Sequence, residues 1–412
     1  MNIHNHFSKI YFYLLPVWLL GVSFFYFHLI VFYILLTNVS VIKRLSIPAV
    51  IVFFFCLAYL FSLGVSFFTL DYEVQRYISS LYNWSYWIIA FTILAFFKSK
   101  TNIERLDTKQ LAKGAKFFIL TTFFVCFSSL FLTGTAGGSL HSALGVLLPE
   151  KLPPLILDST ALKFYVGDWI NGESTVRYSG FGIYPTAAAW ITFLAVCCLY
   201  MFDRKSSLSV FVLFSVIALI VVFMTASRIV LLALMVFYIL QLVKPFILSS
   251  KGNIFIFFSI SLFLLLIMLF IATGALDSTL NARQGSTDLR FLLYKVSFWE
   301  VVNANPILGV GVKPRLDGWD IPLGSHNTFL GVFVRTGIIG FLIVLTFFIY
   351  ILFYFILNMR KGGFDGMALI LTNLPILIFE DLDAPQSVCF VFFMLVSVSL
   401  FKVKSWGYKS NF

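Results

Sequence analysis

Charge is scarce in this sequence. Lys, Arg, Asp and Glu make up 11% of its 412 residues while hydrophobic types supply 60%, and the mean hydropathy is +0.97. A soluble chain of this length needs far more polar surface, so the composition excludes a soluble globular protein and assigns the chain to a membrane. Cysteine is equally sparse. Cys56, Cys126, Cys197, Cys198 and Cys389 all lie inside apolar stretches, which argues against a disulfide framework or a cysteine metal centre and leaves helix packing as their role. No internal repeat is visible, so nothing favours an inverted-repeat transporter. The first apolar run is too long for the core of a cleavable signal and lacks a small-residue cleavage site.

What the chain does have is long uncharged runs, over residues 10–42, 45–70, 77–97, 117–149, 178–202, 206–227, 252–276, 336–359 and 384–401. Most reach the roughly 20 apolar residues with which a helix crosses about 30 Å of hydrocarbon. Two shorter runs, 229–243 and 366–379, span with help from flanking residues at the interface. None alternates as a barrel strand does, so the fold class is all-α integral membrane, as a single polytopic domain.

Lys and Arg cluster in alternate loops. One side collects 18 basic and four acidic residues, the other 11 basic and 14 acidic, a balance of +14 against −3. The positive-inside rule makes the basic side cytoplasmic. The basic surplus therefore reports topology, and nucleic-acid binding is not indicated. The expected count is 12 helices with both termini cytoplasmic, or 11 if 10–42 crosses once. Two larger loops, 133–178 and 276–325, face outward, together with the short turns 71–76, 225–228 and 380–385. Within the second loop Leu289, Leu292, Leu293, Val296, Trp299 and Val302 recur at helical spacing, which predicts an amphipathic helix on the outer surface.

Five outward groups could carry chemistry: Arg177, Arg228, Arg290, His326 and Arg335. An arginine at a span end is commonly a snorkelling anchor. Arg228 resists that reading, because a tight outward turn needs no cation and the charge rule disfavours one there. Arg335 lies nine residues beyond the histidine, so it needs a partner at membrane depth or lines a wet cavity. An interfacial histidine is often a bystander, but His326 and Asn327 follow Gly324 and Ser325 at an accessible entrance. Arginines converging with one histidine, and with no carboxylate–histidine cluster, suit a diphosphate leaving group. Guanidinium forks bind phosphate oxygens and neutralise developing charge, and a neutral imidazole can take a proton from an attacking hydroxyl.

The stretch "SHNTFLGVFVRTGIIG" resembles the signature of the bacterial O-antigen ligase and polymerase superfamily: His326 and Asn327, nine residues, then Gly337 and Gly340. "NPILGVGVKP" resembles that family's Pro–x–Leu–Gly–x–Gly turn, and "DLRFLLYKVSFW" its preceding arginine-bearing helix. "TASRIVLLAL" resembles its Ser–Arg hairpin, and "RYSGFGIYPTAAAW" its Arg–x–x–Gly…Pro segment. All five occur in the family's order.

The resemblance implies a multi-span, metal-independent glycosyltransferase without cofactors. Its donor would be a glycan on undecaprenyl diphosphate, used within the inner membrane at the periplasmic face, with inversion at the anomeric carbon. His326, Arg228 and Arg290 would be catalytic; Arg177, Asn327 and Arg335 would contact substrate. Arg335 departs from relatives that have an acidic or neutral residue there, which leaves it as either a substrate contact or a structural ion pair. The motif serves both a polymerase, which extends the lipid-linked glycan, and a ligase, which hands the finished glycan to lipid A core; the polymerase is the expectation. It leaves open whether a chain-length regulator binds. A transporter or flippase of the lipid-linked oligosaccharide is the distant alternative. It would place polar residues deep in several spans, where this chain has little beyond Arg335 and His28.

Overall fold

The computed structural model describes residues 3–37, 45–133, 139–140, 142–147, 162–163, 165–167, 176–181, 184–203, 208–249, 284–315 and 321–409. The expected span 252–276 and most of the first outward loop lie outside these residues, as do parts of the second. The described helices run in order: α1 (Ile3–Ser8), α2 (Ile10–Leu20), α3 (Ser23–Thr37), α4 (Ile47–Thr69), α5 (Val74–Phe96), α6 (Lys100–Glu104), α7 (Thr108–Thr133), α8 (Ala143–Leu147), α9 (Pro185–Phe202), α10 (Leu208–Met224), α11 (Arg228–Leu248), α12 (Gln284–Ala304), α13 (Thr328–Leu357), α14 (Phe364–Phe379) and α15 (Gln386–Lys409). Two short antiparallel pairs accompany them: β1 (Ser139–Leu140) with β2 (Leu162–Lys163), and β3 (Tyr165–Gly167) with β4 (Val176–Tyr178), the latter in register Val166 to Arg177.

The protein is an all-α multi-pass membrane protein. Six described helices are long and apolar enough to cross a bilayer: α4, α7, α9, α11, α13 and α15. Of these α9 and α15 are buried over 89% of their apolar windows and form the centre, while α4, α11 and α13 show more of their surface outward. α5 matches α4 in length but carries Ser79, Ser80, Asn83 and Ser85, and at least one of these hydroxyls serves an inserted loop described below. The run 10–42 divides into α2 and α3 at Gly21, whose left-handed backbone (φ 73°) lets its N–H close the end of α2. All five cysteines are buried with free thiols.

The ion pairs respect the charge count. Lys116–Asp203 and Lys244–Asp365 join groups counted on the basic side. Arg290–Glu380, Lys313–Asp381 and Arg335–Asp383 join groups counted on the other.

α13 is not a continuous helix. At Gly337 the backbone turns to φ 59°, ψ −158°, and the chain segment after α12 fills the break. The N–H groups of Val310 and Gly311 donate to the carbonyls of Val334 and Arg335 at 2.8 and 3.0 Å, and Ile338 N–H donates to Pro306 at 2.9 Å. Non-helical backbone at membrane depth persists only where its polar groups are satisfied by protein. Serines of α4 and α5 complete that task. The Ser62 hydroxyl lies 2.5 and 2.6 Å from the carbonyls of Leu308 and Arg335. Ser66 donates to Val310 and Ser80 to Gly311, both at 2.6 Å.

Candidate active site

His326 sits where the inserted segment returns to α13. Its backbone is left-handed (φ 60°), a conformation that only Ala226 shares among the described non-glycine residues. Three contacts hold it there. The His326 N–H donates to Asp381 Oδ2 at 3.2 Å, Tyr294 of α12 donates its hydroxyl to the His326 carbonyl at 2.6 Å, and the preceding Gly324 N–H donates to Ser297 Oγ at 2.8 Å. A strained backbone of this kind is retained where its surroundings over-determine it, and such sites concentrate at functional positions. Asn327 follows as the N-cap of α13, its side-chain oxygen accepting from the Leu330 N–H at 2.9 Å; the cap satisfies a donor that the first turn leaves open.

The turn between α14 and α15 supplies what the sequence reading missed. It carries three carboxylates, Glu380, Asp381 and Asp383, and each takes a cation from a different part of the chain. Glu380 Oε1 is 3.4 Å from Arg290 Nη2 of α12, and its Oε2 is 3.7 Å from His326 Nδ1. Asp381 Oδ2 accepts from Lys313 of the inserted segment at 2.9 Å. Asp383 pairs with Arg335 of α13 and accepts from Trp87 Nε1 at 3.1 Å. Thr328 pins the turn's backbone, donating to the Glu380 carbonyl at 2.7 Å and accepting from the Leu382 N–H at 2.9 Å. The expectation of arginines converging without a carboxylate–histidine cluster is thus corrected. Three acids within four residues between two apolar runs were the available signal, because charges at a membrane boundary require partners.

Glu380 is almost fully buried, and burial alone would raise its pKa. The neighbouring His326 ring, the charge of Arg290 and the nearby Thr186 of α9 outweigh that, and hold the carboxyl below the usual carboxylate range. Tyr294 moves the other way: burial, with Glu380 and Asp381 nearby, pushes its hydroxyl up to about 12 despite Arg290. It therefore remains a hydrogen-bond donor at neutral pH.

The six residues named from sequence divide into three places. Arg290, His326 and Asn327 share the neighbourhood of Glu380. Arg177, on β4, donates from Nε to the Thr225 carbonyl at 2.9 Å, and so braces the Thr225–Ala226–Ser227 turn that delivers exposed Arg228 at the head of α11. β4 packs on α9 and α10, and Thr186 in the first turn of α9 lies near Glu380. Arg335 belongs to neither group. It is 1% exposed, its guanidinium pairs with Asp383, and its Cζ lies 5.2 Å from the Tyr59 ring centre. Of the two roles open for it, substrate contact or structural ion pair, the structure supplies the ion pair, and access to substrate would require the interior to open.

Each carboxylate of the turn already faces a cation. Among the described residues, no three His, Cys, Asp or Glu side chains are grouped as ligands for a metal.

Residues 213–345 match the model of the O-antigen ligase family. The matched segment contains the Arg228 turn, Arg290, the inserted loop and the His326 signature; Arg177 and the acidic turn fall outside it. No curated protein matches the chain. Over the matched residues the chain is similar to the O-antigen ligase family.

Proposed function

We propose that the chain is an O-antigen polymerase. It moves a growing glycan from undecaprenyl diphosphate to the next lipid-linked repeat unit at the periplasmic face of the bacterial inner membrane, without a metal. The observation that carries this reading is the carboxylate shared by Arg290 and His326, which gathers a phosphate-binding cation and a proton acceptor into one small site. In the reaction, Arg228 and Arg290, with Arg177 shaping the turn or touching the ligand, neutralise charge developing on the departing diphosphate. His326 takes the proton of the acceptor hydroxyl. The hydroxyl oxygen attacks the anomeric carbon from the face opposite the diphosphate, so configuration inverts.

The ligase reading shares every one of these steps, differs only in the acceptor, and draws on the name of the matched family. Lipopolysaccharide from a strain lacking the gene, run on a gel beside its complemented parent, separates the two. Core bearing a single repeat unit, with the ladder gone, is the polymerase result. Bare core with polymer accumulating on undecaprenyl diphosphate is the ligase result. An unchanged ladder overturns both as applied to O-antigen.

A further inference from the structure

Glu380 has no chemical step of its own in the transfer as written above, yet it is buried among charged and polar partners at the site. Its side chain is 4% exposed, a place where a carboxylate is costly unless cations and donors surround it. They do: Arg290, the Thr186 hydroxyl and the His326 ring all face it. The other charged or titratable groups around the pair are Tyr184 ahead of α9, Tyr294 of α12, Lys313, and Asp381 and Asp383 of the same turn.

The geometry of His326 gives that anion a specific consequence. Hydrogen bonds at both its N–H and its carbonyl fix the backbone, so the direction in which its side chain leaves the chain is set. Glu380 stands on the Nδ1 side of the ring. A neutral imidazole has one N–H and one lone pair, and a neighbouring anion selects the tautomer whose N–H points at it. The lone pair is then on Nε2, on the opposite side of a ring that is 36% exposed.

Building on the glycosyl-transfer reading, we propose that Glu380 is the positioning residue of His326, holding the ring as the Nδ1–H tautomer so that Nε2 receives the acceptor's proton. The acceptor O–H bond breaks and its proton moves to Nε2. The oxygen's electron pair forms the bond to the anomeric carbon, while the carbon–oxygen bond to the diphosphate breaks with its pair retained on the phosphate oxygen. The imidazolium so formed directs its Nδ1–H at Glu380 until Nε2 releases its proton to water. A carboxylate in this arrangement stabilises the charged ring and does not itself take the proton.

The test is the ring's tautomer, read by nitrogen NMR at alkaline pH on the protein labelled at its five histidines in detergent micelles. The His326 signals are identified by their loss in His326→Gln. The proposal expects a protonated Nδ1 and a bare Nε2 in the wild type. It expects a shift toward the Nε2–H form in Glu380→Gln, whose amide can donate to Nδ1. A wild-type ring protonated at Nε2 overturns the proposal without any Glu380 variant, as does a Glu380→Gln ring unchanged from wild type. The companion measurement is turnover on the lipid-linked glycan extracted from the deletion strain. Glu380→Gln is expected to lower kcat roughly 10- to 100-fold, with KM little changed, as for loss of a residue that orients a functional histidine. Full turnover in that variant, beside an inactive His326→Gln, overturns the positioning role alone. Full turnover in His326→Gln overturns the transfer reading itself, whatever the tautomer.

Discussion

Gly309 and Gly337 lie backbone against backbone: a side-chain carbon at 309 would stand 2.5 Å from the Gly337 nitrogen and 2.6 Å from that of Thr336. Both glycines have left-handed backbones, at φ 71° and 59°. The signature glycine of α13 and the glycine of the inserted turn are therefore two halves of one contact, which lets the loop hydrogen-bond to the broken helix.

Gly309→Ala is accordingly expected to unfold the contact. The left-handed conformation costs an alanine about 1–2 kcal/mol, and overpacking against backbone that cannot swing aside adds roughly 1–3 kcal/mol. Gly64→Ala is the control, since nothing lies within 4 Å of the added carbon and the site is helical. Thermal unfolding in detergent should show a large loss for the first substitution and none for the second. Equal melting temperatures would sink the backbone-contact account.

Arg335→Met leaves Asp383 charged, 2% exposed and held only by neutral donors such as Trp87. Breaking one side of a buried pair costs about 3–5 kcal/mol. Pairing it with Asp383→Leu removes the stranded charge and should restore part of the melting temperature. A double variant no more stable than Arg335→Met would argue that the pair is not the reason for the loss.

Arg228→Lys keeps the charge and discards the two-pronged fork, so polymer formation in the complemented deletion strain should be clearly impaired. His326→Ala should lower turnover roughly a hundredfold or more if the ring accepts the proton. Full activity of Arg228→Lys would reduce that arginine to an anchor, and a loss of only a few-fold in His326→Ala would leave the ring a role in placing the acceptor.

The lowered pKa of Glu380 ties stability to pH. The unfolded chain's carboxyl titrates near its ordinary value, about 4.3, and the folded one lower. In the window between them the unfolded state binds more protons, so stability rises with pH. The contribution is complete above about pH 5 and is lost as pH falls through the folded value. Melting curves recorded from neutral pH to about pH 3 should therefore show a shallower acid decline for Glu380→Gln than for the wild type. Parallel declines would mean that Glu380 gains nothing from its partners.

Much of the architecture was legible in the residues alone, because a bilayer imposes one rule on every span. Runs such as 45–70 and 178–202 exceed the length a helix needs, and α4 and α9 follow. Helical spacing over 287–306 foretold α12, but its buried stripe is Leu293, Ser297 and Val301, while Leu292 and Trp299 are 48% and 52% exposed. Lipid is as apolar as a protein core, so hydropathy cannot say which apolar face meets protein. The charge count put Glu380, Asp381 and Asp383 on the side of Arg290, Lys313 and Arg335, yet which acid meets which base depends on segments as far apart as Arg290 and Glu380. Only the tertiary structure decided those pairings, because each is made by folding the α14–α15 turn over a helix broken at Gly337, and no spacing along the chain encodes that juxtaposition.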